Sequence, residues 1–387
     1  MHTLESYATS CGLKIDKPFI LEKFYPLPFE KYITLQSSAR IESSTYGYWQ
    51  EVVDLISPYL NSQNIKIVQV GNKEEKNLNR CVIANGELNI NQLAYVIRRS
   101  MLHCGVDGLP SHLASGYTKI VGLHPNTHVS QSKPYWSQES DMALIEPERN
   151  GKRPFYFVNG SPNVVNSIAP EKIAKEILGL IAINHGINHT SINLGSRYTS
   201  EAAYDFVLNQ TVTPTDLSKI IDLRLDYYFD EKNLINQLNI CKANIYTDKA
   251  INKNILKSLK SRINHIYYVV GNDDQPEFVK DMVAHAIPFS LVSFLPYEQL
   301  NDKKIHYYDM GGIIKIKAPP SELINKFKSL KNLYFRSCKL IVASGKTYAS
   351  KLHWKNDTEV NPSEFNPVID DAEFWEDLEY YYLIQKP

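Results

Sequence analysis

The sequence has few cysteines and no long apolar run, and these two deficits exclude several classes of protein. Its five cysteines are odd in number, widely spaced and never in a CxxC pair, which argues against a disulfide framework and a zinc site. No apolar run approaches the length of a bilayer span, and the N-terminus lacks the basic start and apolar core of a signal peptide. We therefore expect a soluble, cytoplasmic protein, with peripheral membrane contact left open.

An excess of charge of either sign is also missing. Lys plus Arg and Asp plus Glu number 42 each, so no global field would recruit nucleic acid or an anionic membrane. There is no repeat at solenoid period and no low-complexity tract. With 387 residues, of which 43% are hydrophobic and 22% charged, the composition is that of a soluble globular protein with two domains. Because the net charge is zero, any specific binding of a partner or ligand must come from a local site.

The first half of the chain alternates between strand and helix patterns. After an N-terminal arm over residues 1–30, we predict strands at 32–36, 65–70, 101–106 and 119–123, and helices at 48–60, 90–100, 112–116 and 170–181. Residues 126–165 are loop-like. This alternation implies a parallel, doubly wound sheet that binds ligand outside the carboxyl ends of its strands. Four polar residues follow these strand ends and are expected along one rim: Ser37, Glu74, Asp107 and His124.

One corner of this sheet, residues 101–112, favours an anion. A short apolar run breaks at Gly105, Asp107-Gly108 supplies turn chemistry, and Ser111-His112 open a new helix. A strand end that leads into a helix N-terminus presents free N–H groups and the positive end of a dipole, which suits a phosphate. His112 would donate to a phosphate oxygen, or else cap or pack. Asp107 would accept a sugar hydroxyl, or else cap the helix.

Alternation resumes in the second half and predicts a smaller doubly wound unit. We expect strands at 220–225, 243–247, 265–270, 289–294 and 304–308, with helices at 231–238, 253–262 and 276–285. The polar stretch 184–199 is the expected linker, and the tail contains a strand at 339–343 and a docking helix at 372–383. The predicted domains are therefore 31–185 and 186–318, followed by a C-terminal tail over 319–387.

The first domain resembles the heptosyltransferase-like glycosyltransferases of family 9, which have a GT-B fold of two Rossmann-like domains facing across a cleft. The similarity is to their nucleotide-sugar-binding half, and five pieces of this chain carry it in the family's order: 32–38 with the Trp49 helix, 65–74, 90–97, the run GVDGLPSHLAS at 105–115, and 168–173. Here the donor-binding half comes first in the chain, whereas in the family it comes second.

The resemblance implies a glycosyltransferase that binds a nucleoside-diphosphate sugar and a saccharide or other hydroxyl acceptor, with no separate cofactor. The positions implied around the donor's diphosphate and sugar are Asp107, Gly108, Ser111 and His112. Ser37 and Ser38 would approach the phosphates, Glu74 the ribose and Leu93 the base. Two departures stand out: the glycine of the turn is moved by one position, and a basic residue usual after the first strand is missing. Either Arg40 substitutes for this residue, or the activity is weakened or lost.

The catalytic base is not transferable from the resemblance. Aspartates lie near the strand ends of the second unit and none stands out; the candidates are Asp222, Asp248 and Asp273. The histidines His124, His128, His185 and His189 lack metal-ligand spacing on a helix face, so we expect no metal. Two alternatives stay open beside the transferase: a catalytically degenerate nucleotide- or carbohydrate-binding protein of the same fold, and a nucleotide-sugar epimerase.

Overall fold

The computed structural model describes residues 1–39, 41, 44–149, 151, 153–154, 164–211, 220–310, 314–316 and 321–387. Within them the chain divides into two compact units, unit 1 over Met1–Ser191 and unit 2 over Ile192–Lys386. Unit 1 includes the predicted arm, and unit 2 includes the predicted tail. Both units are α/β, as expected from the alternation. Among the described residues, no helix is long and apolar enough to cross a bilayer.

Unit 1 is built on a six-stranded parallel sheet. Its strands are β1 (Tyr32–Leu35), β2 (Lys66–Gln69), β3 (Val82–Ile83), β4 (Leu102–Val106), β5 (Lys119–Leu123) and β6 (Met142–Ile145). Their order across the sheet is β3-β2-β1-β4-β5-β6. This is the order of the Rossmann fold, so the predicted doubly wound sheet is confirmed for the first unit. The order reverses between β1 and β4, the point at which such sheets bind their ligands.

The helices of unit 1 cover the sheet in two packed pairs. They are α1 (Thr3–Cys11), α2 (Trp49–Ser62), α3 (Ile90–Arg98), α4 (Leu109–Ala114), α5 (Val129–Ser132) and α6 (Pro170–Leu180). Helix α2 packs against α6, and α3 packs against α4. Apolar residues at helical spacing explain the first pair, because Val52, Val53 and Ile56 are fully buried.

In the first half of the chain, β3 was not predicted, and three longer stretches also differ from the sequence prediction. The arm begins with α1, which is stabilised by a capping box between His2 and Glu5. The loop-like stretch 126–165 contains α5 and β6, and β6 pairs with β5 along its whole length. The predicted linker 184–199 contains a strand, β7 (Thr190–Leu194). The missed elements α5, β6 and β7 have only four or five residues, so their periodicity is too brief to be recognised in sequence.

The core of unit 1 contains a buried histidine, His103 on β4. Its Nδ1 lies 3.0 Å from Thr34 Oγ1, while its Nε2 has no partner among the described residues. Burial lowers the pKa of His103 from 6.5 to about 3. Below pH 6.5 the unfolded chain therefore takes up a proton that the folded chain refuses, and the free energy of unfolding falls as the pH falls towards 3.

We expect this histidine to make unit 1 sensitive to acid. Between pH 7 and pH 5 the wild-type protein should lose about 2 kcal/mol of stability through His103 alone. The variant His103→Gln should lack that part of the pH dependence, whatever its stability at pH 7. Urea unfolding of both proteins at the two pH values measures the difference. Equal losses in the two proteins would assign the acid sensitivity to other groups.

Unit 2 is built on an eight-stranded sheet in which the first six strands follow one another in one direction and the last two lie on the other side of the first strand. The strands are β8 (Ala203–Phe206), β9 (Ile221–Arg224), β10 (Ala243–Thr247), β11 (Ile263–Val269), β12 (Phe289–Ser293), β13 (Ile314–Ile316), β15 (Lys339–Ala343) and β16 (Lys346–Tyr348). The order is β13-β12-β11-β10-β9-β8-β15-β16, and only the β15–β16 pair, joined at Ser344-Gly345, is antiparallel.

This order corrects the prediction of a second doubly wound domain. Right-handed crossovers that always step in the same direction place their helices on one face of the sheet. The helices concerned are α7 (Glu231–Ile240), α8 (Lys253–Ser258), α9 (Pro276–Ala284) and α10 (Tyr297–His306). All four share a single hydrophobic cluster with alternate strand residues, among them Leu223, Ile245, Ile266 and Leu291. Unit 2 is therefore singly wound and has no point at which the strand order reverses in its run from β8 to β13.

Residues after 296 differ most from prediction. The expected strand 304–308 is the end of α10 and a following 3₁₀ turn, because Pro296 and the residues after it start a helix there. The expected docking helix 372–383 is a 3₁₀ segment, Glu373–Tyr380, followed by the strand β18 (Tyr381–Gln385). Its apolar residues Phe374, Trp375 and Leu378 are buried, as the periodicity indicated.

The tail completes unit 2 with a second sheet. Here β14 (Leu333–Ser337), β17 (Asn366–Pro367), β18 and β7 form an antiparallel arrangement in the order β17-β14-β18-β7. Two further helices are α11 (Ser321–Lys328) and α12 (Lys351–Lys355). Phe335 of β14 packs against Phe374 and Tyr381 in the aromatic core of this sheet. The predicted strand 339–343 is confirmed as β15.

Candidate functional site

The polar residues that follow the strands of unit 1 form a connected cluster at the ends of β4, β5 and β6. Asp107 follows β4, His124 follows β5, and Glu146 and Arg149 follow β6. Because these strands are parallel neighbours, their carboxyl ends meet at one edge of the sheet. The rim predicted from sequence is therefore present for Asp107 and His124.

Asp107 is the centre of this cluster. Its Oδ1 lies 3.6 Å from His112 Nε2, and its Oδ2 accepts a hydrogen bond of 2.9 Å from the Thr127 hydroxyl and lies 3.6 Å from His124 Nδ1. Burial acts to raise the pKa of Asp107, but the neighbouring His112 and His124 rings and the hydrogen bond from Thr127 outweigh it and hold that pKa below its usual value. Asp107 is an ionised acceptor with both oxygens engaged.

Asp107 does not cap the helix that follows it. The residue at the N-cap of α4 is Gly108, and no side chain caps this end. Gly108 is extended there (φ 175°), a conformation open to any residue, and a Cβ on it would make only ordinary contacts. The capping alternative for Asp107 is therefore wrong.

The two histidines beside Asp107 differ in access. His112 is 40% exposed and reaches solvent, whereas His124 is 1% exposed. Burial lowers the pKa of His124, although the charge of Asp107 opposes this. His124 is thus a neutral, fixed ring whose Nδ1 lies 3.2 Å from Ser132 Oγ. His112 is the member of the cluster that a bound molecule can reach.

Arg149 braces the loop that carries Thr127. Its Nη2 donates to the backbone carbonyls of His124, Pro125 and Thr127 at 2.7, 3.2 and 3.1 Å. Its Nη1 pairs with Glu146, which also accepts from the backbone N–H of Val129 at 2.7 Å. The sequence analysis missed Arg149, Glu146 and Thr127, because it treated 126–165 as loop and the strand before Glu146 was not recognised.

The loop after β1 is tied to the turn after β2. The Ser37 hydroxyl donates to Glu75 Oε2 at 3.0 Å and accepts from Gln69 Nε2 at 2.8 Å. The other Glu75 oxygen accepts from the backbone N–H of Asn72. Glu75, and not the exposed Glu74, is therefore the acidic residue that faces the loop at the strand-order reversal.

The remaining predicted site residues lie in different surroundings. Ser111 is buried and donates to the carbonyl of Val106 at 3.4 Å, and Ser38 is half-buried. Leu93 packs against two hydrophobic clusters of unit 1. Arg40 lies outside the described residues. The roles predicted for these residues in ligand binding stay predictions.

The candidate bases lie on unit 2. Asp222 is half-buried on β9, whereas Asp248 and Asp273 are exposed in the turns after β10 and β11. The neighbouring Asp274 pairs with Lys303 and Tyr307, so the Asp273-Asp274 turn is held by α10 and its end. Within the described parts of the chain, no group of three or more His, Cys, Asp or Glu side chains is placed to hold a metal ion.

The fold and the cluster define unit 1 as a Rossmann-type unit with a histidine–carboxylate pair beside its strand-order reversal. The chain is similar to several solved structures, among them a family 9 glycosyltransferase from Veillonella parvula (16% identity, TM-score 0.32) and the ADP-heptose lipopolysaccharide heptosyltransferase II of Escherichia coli (14%, 0.32). A third is the iron-containing dodecameric glycosyltransferase TibC of enterotoxigenic E. coli (10%, 0.33).

These similarities are partial. They cover 46, 46 and 44% of this chain and 50, 51 and 50% of the three chains in turn, so this chain matches about half the length of each. The chain matches no protein-family model and no curated protein. The predicted resemblance to family 9 glycosyltransferases is thus confirmed as a resemblance over part of the chain.

Proposed function

We propose that this protein is a glycosyltransferase whose unit 1 binds a nucleoside-diphosphate sugar at the rim of its sheet. The observation that carries the proposal is the Asp107–His112 pair, which directly follows β4 at the reversal of strand order. In open α/β sheets a ligand binds outside the carboxyl ends of the strands at this point. The predicted arrangement of two domains facing across a cleft stays a prediction.

His112 supplies what the leaving diphosphate needs. When the bond between the sugar C1 and the diphosphate oxygen breaks, negative charge grows on that oxygen, and a hydrogen-bond donor fixed in advance stabilises it. His112 is 40% exposed, and in its imidazolium form it has two N–H donors, one facing the ionised Asp107 at 3.6 Å and one left for the diphosphate oxygen. Thr127 and His124 fix the other Asp107 oxygen. The carboxylate therefore orients the ring with its accessible side towards the rim.

The acceptor half of the reaction needs a base that takes the proton of the attacking hydroxyl. Asp222, Asp248 and Asp273 stay the candidates for it. Independence from metal is part of the proposal, as are the saccharide or other hydroxyl acceptor and the cytoplasmic location. Transfer that continues in EDTA would support the first of these, and transfer abolished by EDTA would contradict it.

Binding of the nucleotide is the first expected result. A nucleoside diphosphate at a hundred times its dissociation constant should raise the free energy of unfolding by about 2.7 kcal/mol. We expect a thermal shift with at least one of ADP, UDP, GDP, CDP and dTDP, and its loss in Asp107→Ala and His112→Ala. Asp16→Ala, an exposed carboxylate of the arm, is the matched control and should keep the shift. A shift that survives in both site variants would place the nucleotide elsewhere.

A degenerate binding protein is the second candidate function, favoured by the hydroxyls near the rim. Ser37 and Ser111 are buried and bonded within the protein, so neither hydroxyl is open to a phosphate. Incubation of the protein with the nucleotide sugar that gives the largest shift, with and without a glycan acceptor, separates the readings. Transfer identifies the enzyme, binding without turnover the degenerate protein, and sugar interconversion without acceptor an epimerase.

A further inference from the structure

One face of the unit 2 sheet carries polar and aromatic side chains. Parallel sheets are usually covered on both faces and aliphatic on both. Here the aliphatic residues face α7 to α10, and the alternate positions of β8 to β12 point to the opposite side. The alternate positions, named here as the polar face, are occupied by Asp205, Asp222, Arg224, Asn244, Tyr246, His265, Tyr267 and Ser290.

A row of stacked planar groups crosses the polar face. The Tyr246 and Tyr267 rings lie 4.5 Å apart and only 12° from parallel. His265 lies 4.6 Å from Tyr267 at one end of the row, and the Arg224 guanidinium lies 5.0 Å from Tyr246 at the other. Neighbouring strands are about 4.8 Å apart, so the stacking of Arg224, Tyr246 and Tyr267 follows from the strand register that pairs them, whereas His265 lies two residues before Tyr267 on the same strand. The row is therefore built into the sheet.

Buried ion pairs hold the Arg224 end of this row in place. Arg224 binds both oxygens of Asp226 at 2.8 and 2.6 Å and Asp205 at 2.5 Å. Lys339 of β15 lies 3.2 Å from Asp205 and 3.4 Å from Asp377. The guanidinium cannot turn away without breaking three hydrogen bonds. The position of Arg224, and with it the end of the stacked row, is therefore fixed by the protein itself and does not depend on a bound ligand.

Two polar atoms of the polar face have no hydrogen-bond partner in the described parts of the chain. Asp222 Oδ1 accepts from Asn244 at 2.7 Å, which leaves Oδ2 free. The Tyr267 hydroxyl is the second. Both side chains are half-buried and reach solvent. Asp222 and Tyr267 lie two strands apart and two residues apart along the register, which separates them by about 12 Å, roughly the length of two sugar rings.

Charge restricts what can bind here. Asp205, Asp226 and Asp377 outnumber Arg224 and Lys339 even before Asp222 is counted, so a phosphate would be repelled. Burial and the nearby charge of Asp205 raise the pKa of Asp222, so an anion would add to a carboxyl group that already disfavours its charge. Arg224, inside the row, disfavours a second cation. An uncharged ligand with many hydroxyls satisfies carboxyl, amide and phenol groups together.

We propose that the polar face of unit 2 is a saccharide-binding site in which Asp222 and Tyr267 make the direct hydrogen bonds. The choice of a saccharide rests on the proposed function, because a glycosyltransferase must bind such an acceptor as well as its nucleotide. The site itself lies within unit 2. Its test is therefore separate from the test of the nucleotide site on unit 1.

Saturation-transfer NMR on the full chain tests this site with glucose, galactose, N-acetylglucosamine and lactose at millimolar concentration. We expect a saturation-transfer signal, which reports binding, for at least one sugar. Asp222→Asn and Tyr267→Phe should each raise the dissociation constant of that sugar about three- to tenfold, since each removes one hydrogen bond. Both variants keep the shape of the residue and the stacked row. Asp302→Asn and Tyr204→Phe, exposed residues of unit 2, are the controls and should leave the constant unchanged.

If none of the four sugars gives a saturation-transfer signal, the inference is overturned. It is also overturned if the two site variants bind the sugar as strongly as the wild-type protein. The nucleoside diphosphate shift, measured on the same preparation, keeps the two proposals apart. A thermal shift with a nucleotide but no sugar binding refutes the saccharide site on the polar face and leaves the proposed function standing. The opposite result is sugar binding that is weakened by the Asp222 and Tyr267 variants, with no thermal shift for any nucleotide. That result refutes the nucleotide site on unit 1 and supports the saccharide site on the polar face.

Discussion

Replacing Gly195 by alanine should destabilise unit 2 by about 3 kcal/mol or more, as overpacking against a rigid wall does. A Cβ at this position would lie 2.2 Å from the Glu379 carbonyl oxygen, 2.4 Å from its carbon and 2.8 Å from the Leu378 oxygen. All three are backbone atoms, so no side-chain rotation relieves the clash. The Gly195 N–H also donates to the Tyr381 carbonyl at 2.8 Å, which holds the two segments together.

Urea unfolding of Gly195→Ala and wild type measures this loss. Gly271→Ala is the matched control, because it lies in the same unit just after β11 and a Cβ there meets nothing within 4 Å. Its stability should stay within about 0.5 kcal/mol of wild type. Should Gly195→Ala unfold at the wild-type urea concentration, β7 and the 3₁₀ segment do not approach each other as described.

The second large effect is expected from Arg224→Met. This change keeps most of the side chain's length but leaves Asp205 and Asp226 buried without their common partner. Removing one member of a buried ion network costs about 3 to 5 kcal/mol, because the remaining charges are not compensated. Lys339 offsets a part of this for Asp205 only. The measurement is again the free energy of unfolding of unit 2 in urea.

Arg262→Met is the control for this variant, because Arg262 is exposed on the 3₁₀ turn before β11. Surface substitutions of this kind usually change stability by no more than about 0.5 kcal/mol. A loss for Arg224→Met as small as that of the control would show that water reaches Asp205 and Asp226, and the foundation of the stacked row would then be weak.

Periodicity was sufficient to locate the long elements of both units. Strands at 119–123, 243–247 and 339–343 were predicted to the residue, since each is a compact apolar run between turn residues. The order of the strands in a sheet, in contrast, cannot be read from periodicity. The alternation of strands and helices is the same in both units, yet the order reverses within the run β1 to β6, whereas β8 to β13 follow one another in one direction. Alternation alone therefore predicts parallel pairing and leaves the winding open.

The candidate site divides in the same way between local and distant information. Asp107 and His112 are five residues apart in one turn, so the sequence brings them together by itself. Thr127, His124 and Arg149 join them only because β5 and β6 lie beside β4 in the sheet. For Glu74 and Glu75 the sequence offers two adjacent carboxylates, and only the path of the turn after Gly71 decides which one faces Ser37.

The antiparallel sheet of unit 2 joins the first and last strands of that unit, because β18 lies between β14 and β7. Unit 1 has all its strands once residue 145 has been synthesised, whereas β7 waits for a neighbour that is translated after every other strand of its unit. Closing so long a loop is a slow step in folding. During synthesis, unit 1 can therefore fold on the ribosome while the exposed edge of β7 still needs protection from aggregation.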